Sequence, residues 1–191
     1  LNSEFQHSLR RIKPEKHKTQ LSPRQPADLL YIGDIKKPIP KLLLDTTVYI
    51  DVLQGRLASE ADAILSTAEL WHSPVTEAEL AATCSLLRPD HPHTRQAIDQ
   101  IAASIDKRPA HRILVPDRGI WREAGILSGL LARLQGYDSD HRRQVLNDAL
   151  IFCTAWKHGC MVITRDRSDF DLLQQLVPLG KVLFYRLSSP K

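Results

Sequence analysis

At 191 residues, 42% of them hydrophobic, the chain is long enough to bury one sizeable core and too short for two full domains, so a single domain is expected. No apolar run approaches the ~20 residues that span a bilayer, and the first twenty residues are polar and basic, which argues against a membrane span or a secretory leader and for a cytoplasmic protein. Cys84, Cys153 and Cys160 lie in apolar stretches without CxxC spacing, and so read as core residues of a reducing compartment rather than as a disulfide frame.

The formal net charge of +4 is unevenly placed. Residues 1–40 hold eight Lys/Arg against four Asp/Glu, and the remainder holds eighteen of each, so the whole excess lies before Lys41. The same segment carries five of the twelve prolines, with Leu29 to Ile32 as the cluster able to pack. Residues 1–40 are therefore expected to form an extended or partly disordered basic arm, either merely solvated or in contact with RNA or a partner. The chain opens on Leu1 rather than Met, so its true start is expected to differ from the one shown.

From Lys41 onward, short apolar runs alternate with helical patterns, the signature of an α/β fold with a parallel sheet between helices. Five strands are predicted, over residues 41–45, 70–74, 113–116, 160–164 and 182–186. Helical periodicity covers residues 59–68, 76–87, 94–105, 120–134 and 146–157. Residues 88–93 read as a loop and residues 136–139 as a turn. The domain is expected to span residues 41–187, followed by a tail over 188–191.

Four carboxylates lie at the ends or starts of these apolar runs: Asp45 after three leucines, Glu79 in Val75-Thr-Glu-Ala-Glu-Leu80, Asp148 in Asn147-Asp-Ala-Leu-Ile-Phe152, and Asp166 after Met161-Val-Ile-Thr-Arg165. Each has an ordinary reading. Asp45 could cap a strand-to-helix turn, Glu79 could close a capping box begun by Thr76, Asp148 could open a buried helix, and Asp166 and Asp169 could be turn residues. Taken together, two follow strands and two are expected in the first turns of helices, so all four face the carboxyl edge of the sheet, where open α/β folds bind ligands. Converging acids would repel by roughly 4 kcal/mol per close pair at an effective dielectric near 20. Such a cluster needs a cation, and oxygen-only donors favour Mg²⁺ or Mn²⁺.

In order, Leu-Leu-Leu-Asp45-Thr-Thr-Val-Tyr-Ile-Asp51, Thr76-x-Ala-Glu79-Leu, Asn147-Asp148-Ala-Leu-Ile and Ile-Thr164-x-Asp166-x-x-Asp169-Phe170 resemble the motifs of PIN-domain nucleases, in particular the VapC-like toxins of type II toxin-antitoxin systems. The resemblance runs from about Lys41 to Leu187. It implies a PIN-like three-layer α/β/α sandwich whose first and fourth strands are neighbours, with Asp45, Glu79 and Asp148 as metal ligands and Asp166 completing the catalytic site. It further implies a supporting hydroxyl at Thr164, a flanking acid at Asp169, an RNA substrate and a cognate antitoxin, and it is compatible with a homodimer. The basic arm and the stretch from Leu86 to Arg112 exceed a minimal toxin.

The expected chemistry is hydrolysis of RNA phosphodiester bonds with one or two Mg²⁺ or Mn²⁺ ions. No GxSxG or Cys/His nucleophile stands out, and Arg56, Arg165 and Arg167 are the candidate phosphate contacts. Two rivals are a non-catalytic PIN-like module that binds RNA or protein and a phosphatase of the haloacid-dehalogenase type. The phosphatase wants a second Asp two places after the first, where this chain has Thr47.

Overall fold

The computed structural model describes residues 4–36 and 38–188. Residues 1–3, 37 and 189–191 lie outside that description, and with them most of the expected tail. Among the described residues, four strands form a parallel sheet in the order β2-β1-β3-β4: β1 Leu42–Leu44, β2 Leu70–Trp71, β3 Met161–Thr164 and β4 Lys181–Phe184. The predicted strand at 113–116 is reduced to one bridge, between His72 and Ile113. Its sequence explains the loss, because Val115 is 66% exposed and Pro116 has no N–H to donate to a ladder.

Alternate residues of each strand enter opposite cores, as the two-residue period of a strand requires. Leu43, Val162, Val182 and Phe184 join one cluster, and Leu42, Leu44, Met161, Ile163 and Leu183 join the other. The first cluster is covered by α6 (Arg118–Gln135), α7 (Ser139–Lys157) and α8 (Ser168–Leu176). The second is covered by α2 (Thr46–Leu53), α3 (Ser59–Thr67), α4 (Pro74–Leu86) and α5 (Thr94–Asp106). Each fully buried Leu, Ile or Phe contributes about 1.5–3 kcal/mol relative to exposure. Phe152 fits against the turn before β4 because Gly180 has no side chain: a Cβ there would stand 2.2 Å from the ring's Cζ.

Residues 4–36 depart from the predicted extended or disordered arm. Helix α1 (Glu4–Ile12) packs on α6, burying Ile12 to 4% exposure. The buried carboxylate of Glu123 gathers Arg11 at 2.6 Å, Lys157 at 3.1 Å and the Ser8 hydroxyl at 2.7 Å. Further along, Leu29 and Ile32 are buried, the Leu30 carbonyl accepts from Phe184 N at 2.9 Å, and Tyr31 makes a parallel bridge to Phe184. The apolar side chains of Ile12, Leu29 and Ile32, together with charges that find specific partners, outweigh the prolines in deciding how this segment sits.

Candidate active site

Strands β1 and β3 are neighbours, so the turns that follow them emerge side by side at the carboxyl edge. Asp45 ends β1 and is the N-cap of α2, its Oδ2 accepting from Thr47 N at 3.3 Å. Its backbone N–H also donates to the Ile163 carbonyl at 3.1 Å. The same Oδ2 accepts hydroxyl bonds from Thr47 at 2.6 Å and Thr164 at 2.7 Å. Thr164, fully buried at the end of β3, in turn accepts from Asp166 N at 2.9 Å. One hydroxyl therefore ties the first acid to the loop that carries the fourth.

Glu79 lies past the first turn of α4. The predicted capping box does not form: Ser73 is the N-cap, accepting from Val75 N, and the Thr76 hydroxyl donates to the Leu44 carbonyl. This leaves Glu79 free of capping work. Its two oxygens accept from the Thr46 hydroxyl and from Asn147 Nδ2, the latter at 2.8 Å. Glu77, two residues back, turns away and stands 3.3 Å from Arg108. Asp148 also differs from its prediction, because α7 begins at Ser139 with Asp138 as its cap, so Asp148 sits midway along the helix rather than in its first turn. The polar run from Asp140 to Gln144 hid that start from an apolar-periodicity reading.

Asp45, Glu79, Asp148 and Asp166 all line one cavity of about 550 Å³. Asp148 is 7% exposed, and its Oδ2 is buried with no hydrogen-bond partner. Burial above all, and then the neighbouring Asp45, Asp166, Asp169 and Glu79, pushes its carboxyl well above the usual range. The Asp45 carboxyl is also raised by burial, a shift that the Thr47 and Thr164 hydroxyls oppose. Among the described residues, no three His, Cys, Asp or Glu side chains are already closed around one point as a cage. The donor set is nevertheless anionic, all-oxygen and left with one orphaned buried oxygen, and that fits a hard divalent cation.

Asp169 is 1% exposed and already engaged, accepting from Tyr137 Oη at 2.6 Å and bonding His141 Nε2 at 3.0 Å. The two rings stack with centroids 3.7 Å apart. Sequence reasoning missed both partners, although His141 stands seven residues before Asp148 and so on the same helix face. Arg56 and Arg165 are not free phosphate contacts either. Each holds the fully buried Asp51 at 2.7 Å, with the Tyr185 hydroxyl at 2.8 Å. Arg167 is exposed and makes no ion pair among the described residues.

A family model described as the PIN domain matches residues 42–174. No curated protein matches the chain. Among solved structures, the chain resembles DNA-bound VapBC from Salmonella typhimurium with a TM-score of 0.54 at 18% identity, covering 77% of this chain and 98% of that one. FitAcB from Neisseria gonorrhoeae gives 0.52 at 22% identity over 75% and 96% of the two chains. VapBC-5 of Mycobacterium tuberculosis, a member of the VapBC family of toxin-antitoxin systems, gives 0.50 at 21% over 78% and 100%. At such identities the likeness is one of fold.

Proposed function

This chain belongs to the PIN-domain family, and from that premise we propose that it is a Mg²⁺- or Mn²⁺-dependent endoribonuclease, the toxin of a type II toxin-antitoxin pair. The observation that carries the reading is Asp148: a buried carboxylate with an unpartnered oxygen, lining one cavity with Asp45, Glu79 and Asp166. Asp45, Glu79, Asp148 and Asp166 would hold one or two ions. When bound, the metal supplies Lewis-acid stabilisation of the leaving oxygen and a water acidified enough to attack the phosphodiester.

The chain's own residues provide orientation. Thr164 and Thr47 fix the Asp45 carboxylate, and Asn147 and Thr46 fix that of Glu79. Asp169, held by Tyr137 and His141, acts as a flanking acid and not as a ligand. Arg167 meets substrate phosphate, whereas Arg165 and Arg56 shape the edge through Asp51. Among the described residues, no helix is long and apolar enough to cross a membrane. Action on RNA in the cytoplasm is part of the same proposal. The VapBC complexes among the structural neighbours support an antitoxin partner, and association into a homodimer is part of the same reading.

The purified full chain should cut RNA in Mg²⁺ or Mn²⁺ and stop in EDTA. Undiminished cleavage in excess chelator, with contaminating nucleases excluded, would remove the metal mechanism. RNA binding without cleavage under any of these conditions would favour the non-catalytic module.

A further inference from the structure

A groove of about 930 Å³ runs beside the acidic cavity. One wall is formed by residues of the 20–29 stretch, and the other by the end of α6 and the start of α8. The groove and the acidic cavity adjoin, since Thr47 and Asp166 line both. The first wall lies outside residues 42–174, the stretch that the family model matches.

The groove's charges are Arg24, Arg165 and Arg167 against Asp166 and Asp171. Asp171 is 1% exposed and already bound by Arg24, through its backbone N at 2.7 Å and its Nε at 2.6 Å. Over the lining, three guanidinium groups against two carboxylates leave one positive charge in excess, directly next to an acidic centre, and Arg167 is the exposed one without an ion-pair partner among the described residues. Arg24 is anchored by Asp171 and Gln174. Such a guanidinium group loses little freedom when it binds phosphate. The volume lies near the top of the ~300–1,000 Å³ range of ligand clefts.

We infer that this groove is a second substrate subsite, which takes the phosphate backbone of single-stranded RNA on one side of the acidic centre. Arg24 and Arg167 are its cationic contacts, and residues 20–29 are the wall that confines the strand. The inference rests on the nuclease reading for its substrate and adds a role for a segment that the family model leaves unmatched.

The test is binding of a labelled single-stranded oligoribonucleotide, followed by fluorescence anisotropy at several salt concentrations. The full chain carries Asp148→Asn so that binding is not followed by cleavage. Arg167→Gln should weaken binding and flatten the salt slope by about one unit, and Gln25→Lys should strengthen binding and steepen it by about one. Gln100→Lys puts the same charge on α5, which does not line the groove, and should leave the slope unchanged. Arg167, Gln25 and Gln100 are all exposed, so the fold tolerates the changes. Equal slopes for Gln25→Lys and Gln100→Lys, an unchanged slope in Arg167→Gln, or no RNA binding at all would overturn the subsite. The nuclease reading fails separately: protein that binds with the expected slopes while the wild type cuts no RNA in Mg²⁺ or Mn²⁺ keeps the subsite and loses the enzyme.

Discussion

Asp51 and Asp148 are both buried carboxylates, at 0% and 7% exposure, yet their surroundings are opposite. Burial alone would raise the Asp51 carboxyl, but hydrogen bonds from Arg165, Tyr185 and Arg56 overcome that and hold it below the usual range. Asp148 has burial and four acidic neighbours acting in the same direction. Burial is therefore not what distinguishes a working carboxylate from a structural one. The difference lies in whether the protein sets a countercharge beside the carboxylate, as at Asp51, or sets other acids beside it, as at Asp148.

The largest effect should come from activity at the uncompensated end of this comparison. Asp148→Asn and Glu79→Gln should each lower RNA cleavage by more than about 100-fold, the upper end of what loss of a metal's supporting partners costs. Glu77→Gln, on the side of α4 that faces Arg108, should stay near wild type. Single-turnover cleavage assays on the three variants decide the matter, and the reverse pattern would mean the motif is misplaced by two residues.

Stability should separate the same two acids next. Asp51→Asn strands Arg56 and Arg165 beside a neutral amide. Breaking a buried pair costs about 3–5 kcal/mol, and because these arginines are 44% and 38% exposed the low end of that range is expected. Asp148→Asn removes a repelled charge and should keep or raise the melting temperature of the metal-free protein. A fall of many degrees for Asp148→Asn would make it a structural residue after all.

Acidity should sharpen the contrast further. Asp51, whose folded value is depressed, contributes stability above the unfolded carboxylate range, and loses it as pH falls through the folded value. Asp148, whose folded value is raised, has no effect when protonated in both states, and destabilises the metal-free chain as pH rises above the unfolded value. The two gaps should therefore both grow from acid toward neutral pH but with opposite sign, Asp148→Asn becoming more stable than wild type and Asp51→Asn less stable. Denaturant titrations across that range read both, and excess Mg²⁺ should close the first gap alone. The smallest effect is expected for Arg56→Gln, within about 1 kcal/mol by chemical denaturation, because Arg165 and Tyr185 still satisfy Asp51 and Arg56 is partly in solvent. A loss comparable to Asp51→Asn would show the network to be indivisible.

The three-layer sandwich was legible because its central strands are unbroken apolar runs. Leu42 to Leu44 and Met161 to Ile163 admit no other placement, and the acids at their ends marked the site's edge. The helices that escaped were those whose signal was local or mixed. α2 opens on Thr46-Thr-Val-Tyr-Ile50, a run with strand-like β-branching that becomes helical because Asp45 caps it. α1 is short and polar, and its burial depends on α6, more than a hundred residues away. Within the site, the four acids could be named from their positions after or within apolar runs. The engagement of Asp169 by Tyr137 and His141, and of Arg56 and Arg165 by Asp51, arises only when distant segments meet, and no sequence spacing encodes it.

The bridge between Tyr31 and Phe184 has a consequence for how the chain comes into being. On the ribosome, Leu30 and Tyr31 emerge about 8–30 seconds before Phe184, at synthesis rates of roughly 5–20 residues per second. Until then Leu30 and Tyr31 have no β4 edge to dock on. Docking of this segment therefore waits on translation of β4, and a pause upstream of Lys181 would leave Leu30 and Tyr31 without their partner.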